Sequence, residues 1–286
     1  MRFIKFVKMQ AAGNDFIVFD NRKKVIKKNY SKLAQGLCRR NFSIGADGVL
    51  LIESSTTADF KMITINSDGS QANMCGNGAR CAALFAYTNK ISGKTMKFET
   101  GAGIIKAKVN GFKVRITLTE PKDIKLDMNL RIESREIHVS SVNSGVPHAV
   151  ILSPNIEQVD IASIGRLIRN HTQFTPEGTN VDFIKVIDEH TIKIRTYERG
   201  VEAETYACGT GCVAGTIIAG LKKMVKSPVK LITSGGEMLS VHFRQSKTED
   251  LLIPIYDLQL EGKAEVIFEG NIPHAFPSRQ NAGLRR

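Results

Sequence analysis

Two short segments of the chain place a cysteine directly before glycines: CGNG at 75–78 and CGTG at 208–211. Each is followed by small and apolar residues, a pattern that predicts a buried helix beginning just after the cysteine. A helix N-terminus has backbone N–H groups without partners in its own helix and about half a positive charge. Each segment therefore predicts an anion site beside a sulfur atom whose pKa is expected to be lowered.

Two such sulfurs, one thiolate and one thiol, suit proton transfer on the two faces of one carbon. The thiolate can remove a proton from one face of a carbon, and the thiol can return a proton to the other face. A substrate carboxylate held by the helix ends can accept the negative charge that develops. The sequence thus predicts inversion of a stereocentre without an organic cofactor or metal, with Cys75 and Cys208 as the catalytic residues.

Three other uses of the cysteines stay open. Four cysteines could bind zinc, but the spacings Cys-x5-Cys and Cys-x3-Cys differ from those of structural zinc sites. Cys75 and Cys208 could form a redox disulfide, or the cysteines could only pack. Cys38, Cys81 and Cys212 lie in predicted helices and are assigned to packing.

The two cysteine segments belong to a longer internal repeat. Gly13 aligns with Gly145, Asp47 with Asp182, Cys75 with Cys208 and Gly101 with Gly235, at offsets of 132, 135, 133 and 134 residues. Four landmarks in the same order predict a duplicated domain.

Within each half, alternating segments such as FKMITIN and TIKIRTY predict strands around the central helix. GIIKAKV-NG-FKVRITL predicts a hairpin whose turn is Asn110-Gly111. We expect a first lobe of residues 1–120 plus 268–286, with AEVIFEG returning to it as a last strand. Residues 121–267 form the second expected lobe, and SRQNAGLRR is expected to be a loose tail.

Composition restricts the class of protein. The chain has 286 residues and a net charge of +12, but its Lys and Arg residues are scattered, which argues against nucleic acid. A nucleic-acid-binding or zinc-binding module stays the alternative of another class. No apolar run approaches the roughly 18 residues that span a bilayer, and the first residues lack the continuous apolar stretch of a signal peptide. We expect a cytoplasmic protein that does not bind membranes.

Several motifs together resemble the diaminopimelate epimerase family over essentially the whole chain. They are GNDF (13–16), IGADG (44–48), NSDGSQANMCGNGARC (66–81), GVPHAV (145–150), TNVDF (179–183), YERGVEAET (197–205) and ACGTG (207–211). The resemblance implies an α+β fold of two pseudo-symmetric domains, each a mixed, mostly antiparallel barrel-like sheet around a central helix. It implies interconversion of LL- and meso-diaminopimelate, a precursor of lysine and peptidoglycan, by a homodimer without a cofactor.

The resemblance also assigns roles to residues. Cys75 and Cys208 match the proton-transfer cysteines, with His148 and Glu198 in support. The expected substrate-binding residues are Asn14, Asn66, Gly76, Asn77, Asn180, Glu198, Arg199, Gly209 and Thr210. Asparagine supplies donors and acceptors without net charge, and arginine can bind a carboxylate with two parallel hydrogen bonds.

The chain departs from the family pattern at three positions. Val146 stands where the family often has asparagine, Gly48 where some members have glutamine, and Asn73 where glutamate often precedes the Met-Cys pair. These departures concern binding of the distal end of the substrate and leave the cysteines unchanged. A racemase or epimerase of another amino acid, such as proline or hydroxyproline, is the alternative within the same chemistry.

Overall fold

The computed structural model describes residues 3–27, 29–246 and 255–273. The chain forms two compact units, which we call unit 1 (residues 1–116 and 263–286) and unit 2 (residues 117–262). The boundaries expected from the sequence were 120/121 and 267/268. That the two units are domains that arose by duplication stays a prediction.

Unit 1 is mostly β-sheet. Its strands are β1 (Phe3–Ala11), β2 (Asn14–Asp20), β3 (Gly48–Glu53), β4 (Phe60–Asn66), β5 (Gln71–Ala72), β6 (Thr95–Thr100), β7 (Gly103–Asn110) and β8 (Lys113–Thr117). Helix α1 is Tyr30–Leu37 and helix α2 is Gly76–Thr88.

Unit 2 repeats this order of elements. Its strands are β9 (Lys122–Ile132), β10 (Arg135–Asn143), β11 (Pro147–Leu152), β12 (Asn180–Asp188), β13 (Thr191–Glu198), β14 (Ala203–Thr205), β15 (Val229–Ile232), β16 (Met238–Gln245) and β17 (Ile255–Lys263). Its α-helices are α3 (Ile161–Arg169) and α4 (Gly209–Leu221), and the short 3-10 helices are Ile156–Gln158 and Thr172–Phe174.

The chain's last described strand, β18 (Glu265–Pro273), returns to unit 1 and pairs antiparallel with β1. This confirms the return predicted from AEVIFEG. In unit 2 the strand equivalent to β18 is β9, which precedes β10 in the chain and pairs antiparallel with it. The predicted tail 278–286 lies outside the described residues.

The strands of each unit pair in a mixed pattern. In unit 1, β2–β3 and β4–β6 are parallel; in unit 2, β11–β12 and β13–β15 are parallel. Neighbouring pairs such as β1–β2, β3–β4, β10–β11 and β12–β13 are antiparallel. The predicted fold class is therefore confirmed as a sheet-dominated α+β fold.

The central helix of each unit is the element that the sheet surrounds. Helix α2 contacts β1, β2, β3, β4 and β7, and helix α4 contacts β10, β11, β12, β13 and β16. Ten consecutive residues of each helix are buried, from Asn77 to Ala86 and from Gly211 to Gly220. This confirms that the helices are apolar nearly all round because they lie inside their sheets.

Strand register corrects one part of the predicted repeat. Phe16 pairs with Gly48 in β2–β3, and His148 pairs with Asn180 in β11–β12, an offset of 132 residues in both strands. At that offset Asp182 corresponds to Leu50, so the alignment of Asp182 with Asp47 was wrong by three residues. The sequence alignment paired two aspartates, but the position of buried Asp182 in unit 2 is occupied by apolar Leu50 in unit 1.

The hairpin β7–β8 forms as predicted, but its turn is displaced by one residue. Asn110 pairs with Lys113, so the turn residues are Gly111 and Phe112. Gly111 has φ +60° and Asn110 is still part of β7. A single glycine therefore supplies the left-handed conformation that the turn needs.

Candidate active site

Cys75 and Cys208 are the N-cap residues of α2 and α4. Both have extended backbone conformations, with φ −140° and −110°. The backbone N–H of Gly78 donates to Cys75 Sγ at 3.4 Å, and that of Gly211 donates to Cys208 Sγ at 3.3 Å. Each sulfur thus takes the place that a serine or aspartate oxygen usually has at a helix N-terminus.

The four predicted backbone donors occupy the first two positions of these helices. They are Gly76 and Asn77 in α2, and Gly209 and Thr210 in α4. N–H groups at these positions have no acceptor within their own helix. The Oγ of Ser144 donates to the carbonyl of Thr210 at 2.9 Å and fixes the first turn of α4.

The second glycine of each motif faces a strand beneath its helix, but only Gly211 of α4 has no room for a side chain. A Cβ on Gly211 would lie 2.3 Å from Asp182 Oδ1, whereas a Cβ on Gly78 would lie 3.2 Å from Leu50 Cδ2. The sequence suggested that these glycines let a ligand approach the backbone. At Gly211 the structure shows a different reason, which is the close approach of Asp182 in β12 to the helix.

In unit 1, Cys75 is partly exposed and lies next to a predicted substrate-binding asparagine. Its Sγ is 3.7 Å from Asn14 Oδ1, and Asn14 Nδ2 donates to Asp47 Oδ2 at 2.7 Å. Asn66, at the end of β4, pairs with Gly48 and donates from Nδ2 to Ser70 Oγ at 2.9 Å.

In unit 2, a buried polar network lies beneath the N-terminus of α4. His148 and Asp182 are fully buried and their Nδ1 and Oδ2 atoms are 2.7 Å apart. The hydroxyl of Thr196 donates to the other oxygen of Asp182 at 2.7 Å. Asn180 Nδ2 lies 3.4 Å from His148 Nε2.

The network fixes the tautomer of His148. The backbone N–H of Arg199 donates to Asn180 Oδ1 at 2.8 Å, so the amide nitrogen of Asn180 must face His148 Nε2. Nε2 then accepts a hydrogen bond, and the ring proton resides on Nδ1, where it is donated to Asp182. The imidazole of His148 is therefore held from both sides, with Nδ1 toward Asp182 and Nε2 toward Asn180.

The environment of Cys208 contradicts the expected lowering of its pKa. Burial, the largest effect, raises the pKa well above the ordinary value, and the nearby carboxylates of Glu198 and Asp182 raise it further. The hydrogen bonds with Thr210 and with the Gly211 N–H act in the opposite direction but are weaker. Cys208 is consequently a thiol at neutral pH, because the helix N-terminus does not offset the loss of water around the sulfur.

Glu198 is the last residue of β13, and Arg199 follows it in the chain next to Asn180. Burial raises the pKa of Glu198, which favours its protonated form. The guanidinium of Arg199 donates from Nη1 to the carbonyls of Glu177 and Gly178, at 3.2 and 3.4 Å. A guanidinium has five N–H donors, so others stay available for a carboxylate.

Sequence reasoning missed polar residues that hold the predicted ones. Asp182 and Thr196 support His148, Asp47 supports Asn14, and fully buried Arg80 donates from Nη2 to Asn77 Oδ1 at 2.7 Å. A signal was present for Arg80, since it is the only charged residue in the otherwise apolar run of α2.

Two further structural findings bear on the alternatives. Among the residues that the structure describes, no group of three or more His, Cys, Asp and Glu side chains is arranged to hold a metal ion. Across residues 3–27, 29–246 and 255–273, no helix has the length and apolarity that crossing a membrane requires.

Solved structures define the fold class. The chain is similar to a PhzF-family phenazine biosynthesis protein from Bacillus anthracis, with a TM-score of 0.71 and 14% identity over 96% of this chain and 100% of that one. It is equally similar to a probable proline racemase from Agrobacterium radiobacter, with a TM-score of 0.71 and 16% identity over 94% and 93% of the two chains. The chain therefore has the fold that these proteins share.

Sequence comparison identifies the family. The diaminopimelate epimerase family model matches residues 6–122 and 140–251. A diaminopimelate epimerase from Aquifex aeolicus is 42% identical over 94% of this chain and 98% of its own length. Another, from Archaeoglobus fulgidus, is 37% identical over 93% and 95% of the two chains. This chain belongs to the diaminopimelate epimerase family.

Proposed function

We propose that this protein interconverts LL- and meso-diaminopimelate, in the supply of lysine and peptidoglycan precursors, by proton transfer between two cysteines. The observation that carries the proposal is the repeated site: in a chain of this family, each unit places a cysteine at the N-cap of its buried central helix. The same arrangement twice is what a reaction with a proton acceptor on one face of a carbon and a proton donor on the other requires.

In the proposed reaction, a thiolate takes the Cα proton of the substrate and the electron pair of the C–H bond moves toward the carboxylate. The other sulfur, as a thiol, then donates its proton to the opposite face, and the stereocentre is inverted. The raised pKa of Cys208 favours the proton-donating role for this residue when the ligand first binds. The scheme requires that both sulfurs reach one carbon atom.

The carboxylate next to the reacting carbon needs donors that are already in place. The N–H groups of Gly76, Asn77, Gly209 and Thr210 are assigned this role, supported by their positions in the first turns of α2 and α4. Such donors stabilise developing charge at little cost in reorganisation, because the helix holds them in place.

Glu198 is assigned to the substrate ammonium group, and His148 to support of the site. The buried bonds of His148 with Asp182 and Asn180 support a positioning role for the imidazole rather than proton transfer. An ammonium group that binds Glu198 would stabilise its carboxylate form, whose burial alone is unfavourable.

The non-reacting end of the substrate is assigned to Asn14, Asn66, Asn180 and Arg199. These side chains can pair with an amino-acid group, and they would be left unpaired by an amino acid that lacks a second one. Selection for diaminopimelate over proline is expected on this ground.

The remaining assignments are that the protein acts in the cytoplasm as a homodimer, without cofactor, nucleic acid or membrane. The scattered basic residues support the absence of a nucleic-acid interface. Light scattering after gel filtration tests the dimer, and retention on heparin at increasing salt tests nucleic-acid affinity.

The activity is tested with the purified, reduced protein and LL-diaminopimelate, without added cofactor, by chiral chromatography of the products. Formation of an LL/meso mixture supports the proposal. Turnover of proline or hydroxyproline instead of diaminopimelate would assign the protein to the alternative substrate class, and turnover of none of them would refute the proposal.

A further inference from the structure

A cluster of four charged residues lies beside the Cys75 site in unit 1. Asp15 and Asp47 exchange hydrogen bonds: the Asp47 N–H donates to Asp15 Oδ1 at 3.0 Å, and the Asp15 N–H donates to Asp47 Oδ2 at 3.1 Å. Arg40 Nη2 lies 2.8 Å from an oxygen of each aspartate, and Lys8 Nζ lies 2.7 Å from Asp15 Oδ2. The charges balance, two positive and two negative.

Asp47 has one contact that Asp15 does not share, a bond with the side chain of Asn14. Asn14 Nδ2 donates to Asp47 Oδ2 at 2.7 Å. An ionised carboxylate only accepts hydrogen bonds, so the Asn14 atom that faces it must be the amide nitrogen. The amide oxygen is thereby directed to the other side, where it lies 3.7 Å from Cys75 Sγ.

The orientation of this amide is one of the contacts that decide which form of the sulfur is favoured, and the Gly78 N–H, which donates to Sγ at 3.4 Å, acts in the opposite direction. An amide oxygen can accept a hydrogen bond from a thiol but offers nothing to a thiolate, whereas an amide nitrogen would favour the thiolate. As long as Asp47 holds the nitrogen, Asn14 presents its oxygen. The contact between Cys75 and Asn14 is therefore a contact for S–H.

We propose that Asp47 is a positioning residue that fixes the carboxamide of Asn14 and thereby keeps Cys75 as a thiol until substrate binds. The proposal rests on the proposed function in taking Cys75 as a proton-transfer residue. A substrate ammonium group that bonds to Asn14 Oδ1 would remove this acceptor from the sulfur. The S–H proton could then leave to water, with the electron pair staying on sulfur. Until then Cys75 resists oxidation and alkylation, because both reactions occur at the thiolate.

Other charged groups near Cys75 also affect its pKa, so the variants that are compared must leave these groups unchanged. On α2 and the strands that it contacts, the charged side chains that are not exposed are Arg80, Lys8, Asp15 and Glu53. Glu53 lies at the opposite end of β3 from Asp47 and is paired with Lys24. Removing either aspartate of the cluster changes the charge by the same amount, but only removal of Asp47 releases Asn14.

The test measures alkylation of Cys75 by iodoacetamide in the ligand-free protein, between pH 6 and 9, by mass spectrometry. A Cys208→Ser background removes the second sulfur of the proposed site, and Cys38, Cys81 and Cys212 are buried. Asp47→Ala is expected to raise the rate at pH 7 by about tenfold, the effect of one hydrogen bond on the thiolate fraction. The matched control Asp15→Ala is expected to raise it clearly less.

A second variant keeps the test decisive if Asp47→Ala does not fold. Asn14→Ala removes the acceptor directly and is also expected to speed alkylation, and Asp47→Ala added to it should have no further effect. Equal rates for Asp47→Ala and Asp15→Ala would reduce the effect to charge and overturn the proposal. Unchanged alkylation of Asn14→Ala, or acceleration by Asp47→Ala without Asn14, would also overturn it. Alkylation needs no turnover, so these results do not depend on whether diaminopimelate is the substrate.

Discussion

The contact between Gly211 and Asp182 predicts that the two cysteine motifs tolerate the same substitution very differently. In Gly211→Ala, the new methyl group would lie 2.3 Å from Asp182 Oδ1 and 3.1 Å from Thr196 Oγ1. Relief of this overlap requires a shift of about 1 Å, and overpacking of this kind costs ~1–3 kcal/mol. Displacing Asp182 also weakens a buried hydrogen bond, which costs ~1–3 kcal/mol more.

One favourable term opposes this cost. Alanine is better than glycine in a helix by roughly 0.5–1 kcal/mol. The net destabilisation expected for Gly211→Ala is thus about 3 kcal/mol, the middle of a range of about 1–5 kcal/mol, and a protein of this size loses roughly 2–4 °C of Tm per kcal/mol. At about 3 kcal/mol, thermal unfolding followed by circular dichroism should show a Tm lower by about 6–12 °C.

Gly78→Ala is the matched control, because Gly78 has the same place in α2. Its methyl group would lie 3.2 Å from Leu50 Cδ2, a side-chain end that can move. The helix preference then offsets the contact, and we expect a change in Tm within ~2 °C. A Gly211→Ala protein as stable as the wild type, or equal losses in both variants, would refute the reasoning.

Two further predictions concern titration and reactivity. Burial raises the pKa of Glu198. The contribution of Glu198 to stability is therefore complete below the ordinary glutamate pKa and is lost as pH rises through its pKa in the folded state. Glu198→Gln should raise Tm at pH 7.5 and change it little at pH 4, and equal effects at both pH values would contradict this. Burial raises the pKa of Cys38 to about 12, and Cys208 is also a buried thiol. Iodoacetamide at pH 8 should therefore label Cys75 first in the native protein and all five cysteines after unfolding. Early labelling of Cys38 would contradict this and show that the core opens.

Local patterns were sufficient to predict the elements that carry the cysteines. The apolar runs after Cys75 and Cys208 predicted α2 and α4, since a helix that is apolar all round must be buried. AEVIFEG was expected to be a strand that returns to the first lobe, and it forms β18, which pairs with β1.

The sequence did not predict features that depend on contacts between distant residues. Asp47 and Asn14 are 33 positions apart, and Asn14 and Cys75 are 61 apart, so no spacing within a motif indicates that they meet. The wrong pKa direction for Cys208 has the same origin. The helix end was visible in the sequence, but the burial and the two carboxylates come from tertiary structure.

The central claim is that one cysteine from each unit moves a proton on the same carbon. It is tested most directly by following inversion of LL-diaminopimelate in deuterated water with the wild type, Cys75→Ala, Cys208→Ala and, as a control, Cys38→Ala. The account predicts meso product with solvent deuterium at the inverted carbon for the wild type and Cys38→Ala, and no inversion for the other two variants. Near-normal inversion by either Cys75→Ala or Cys208→Ala would contradict it.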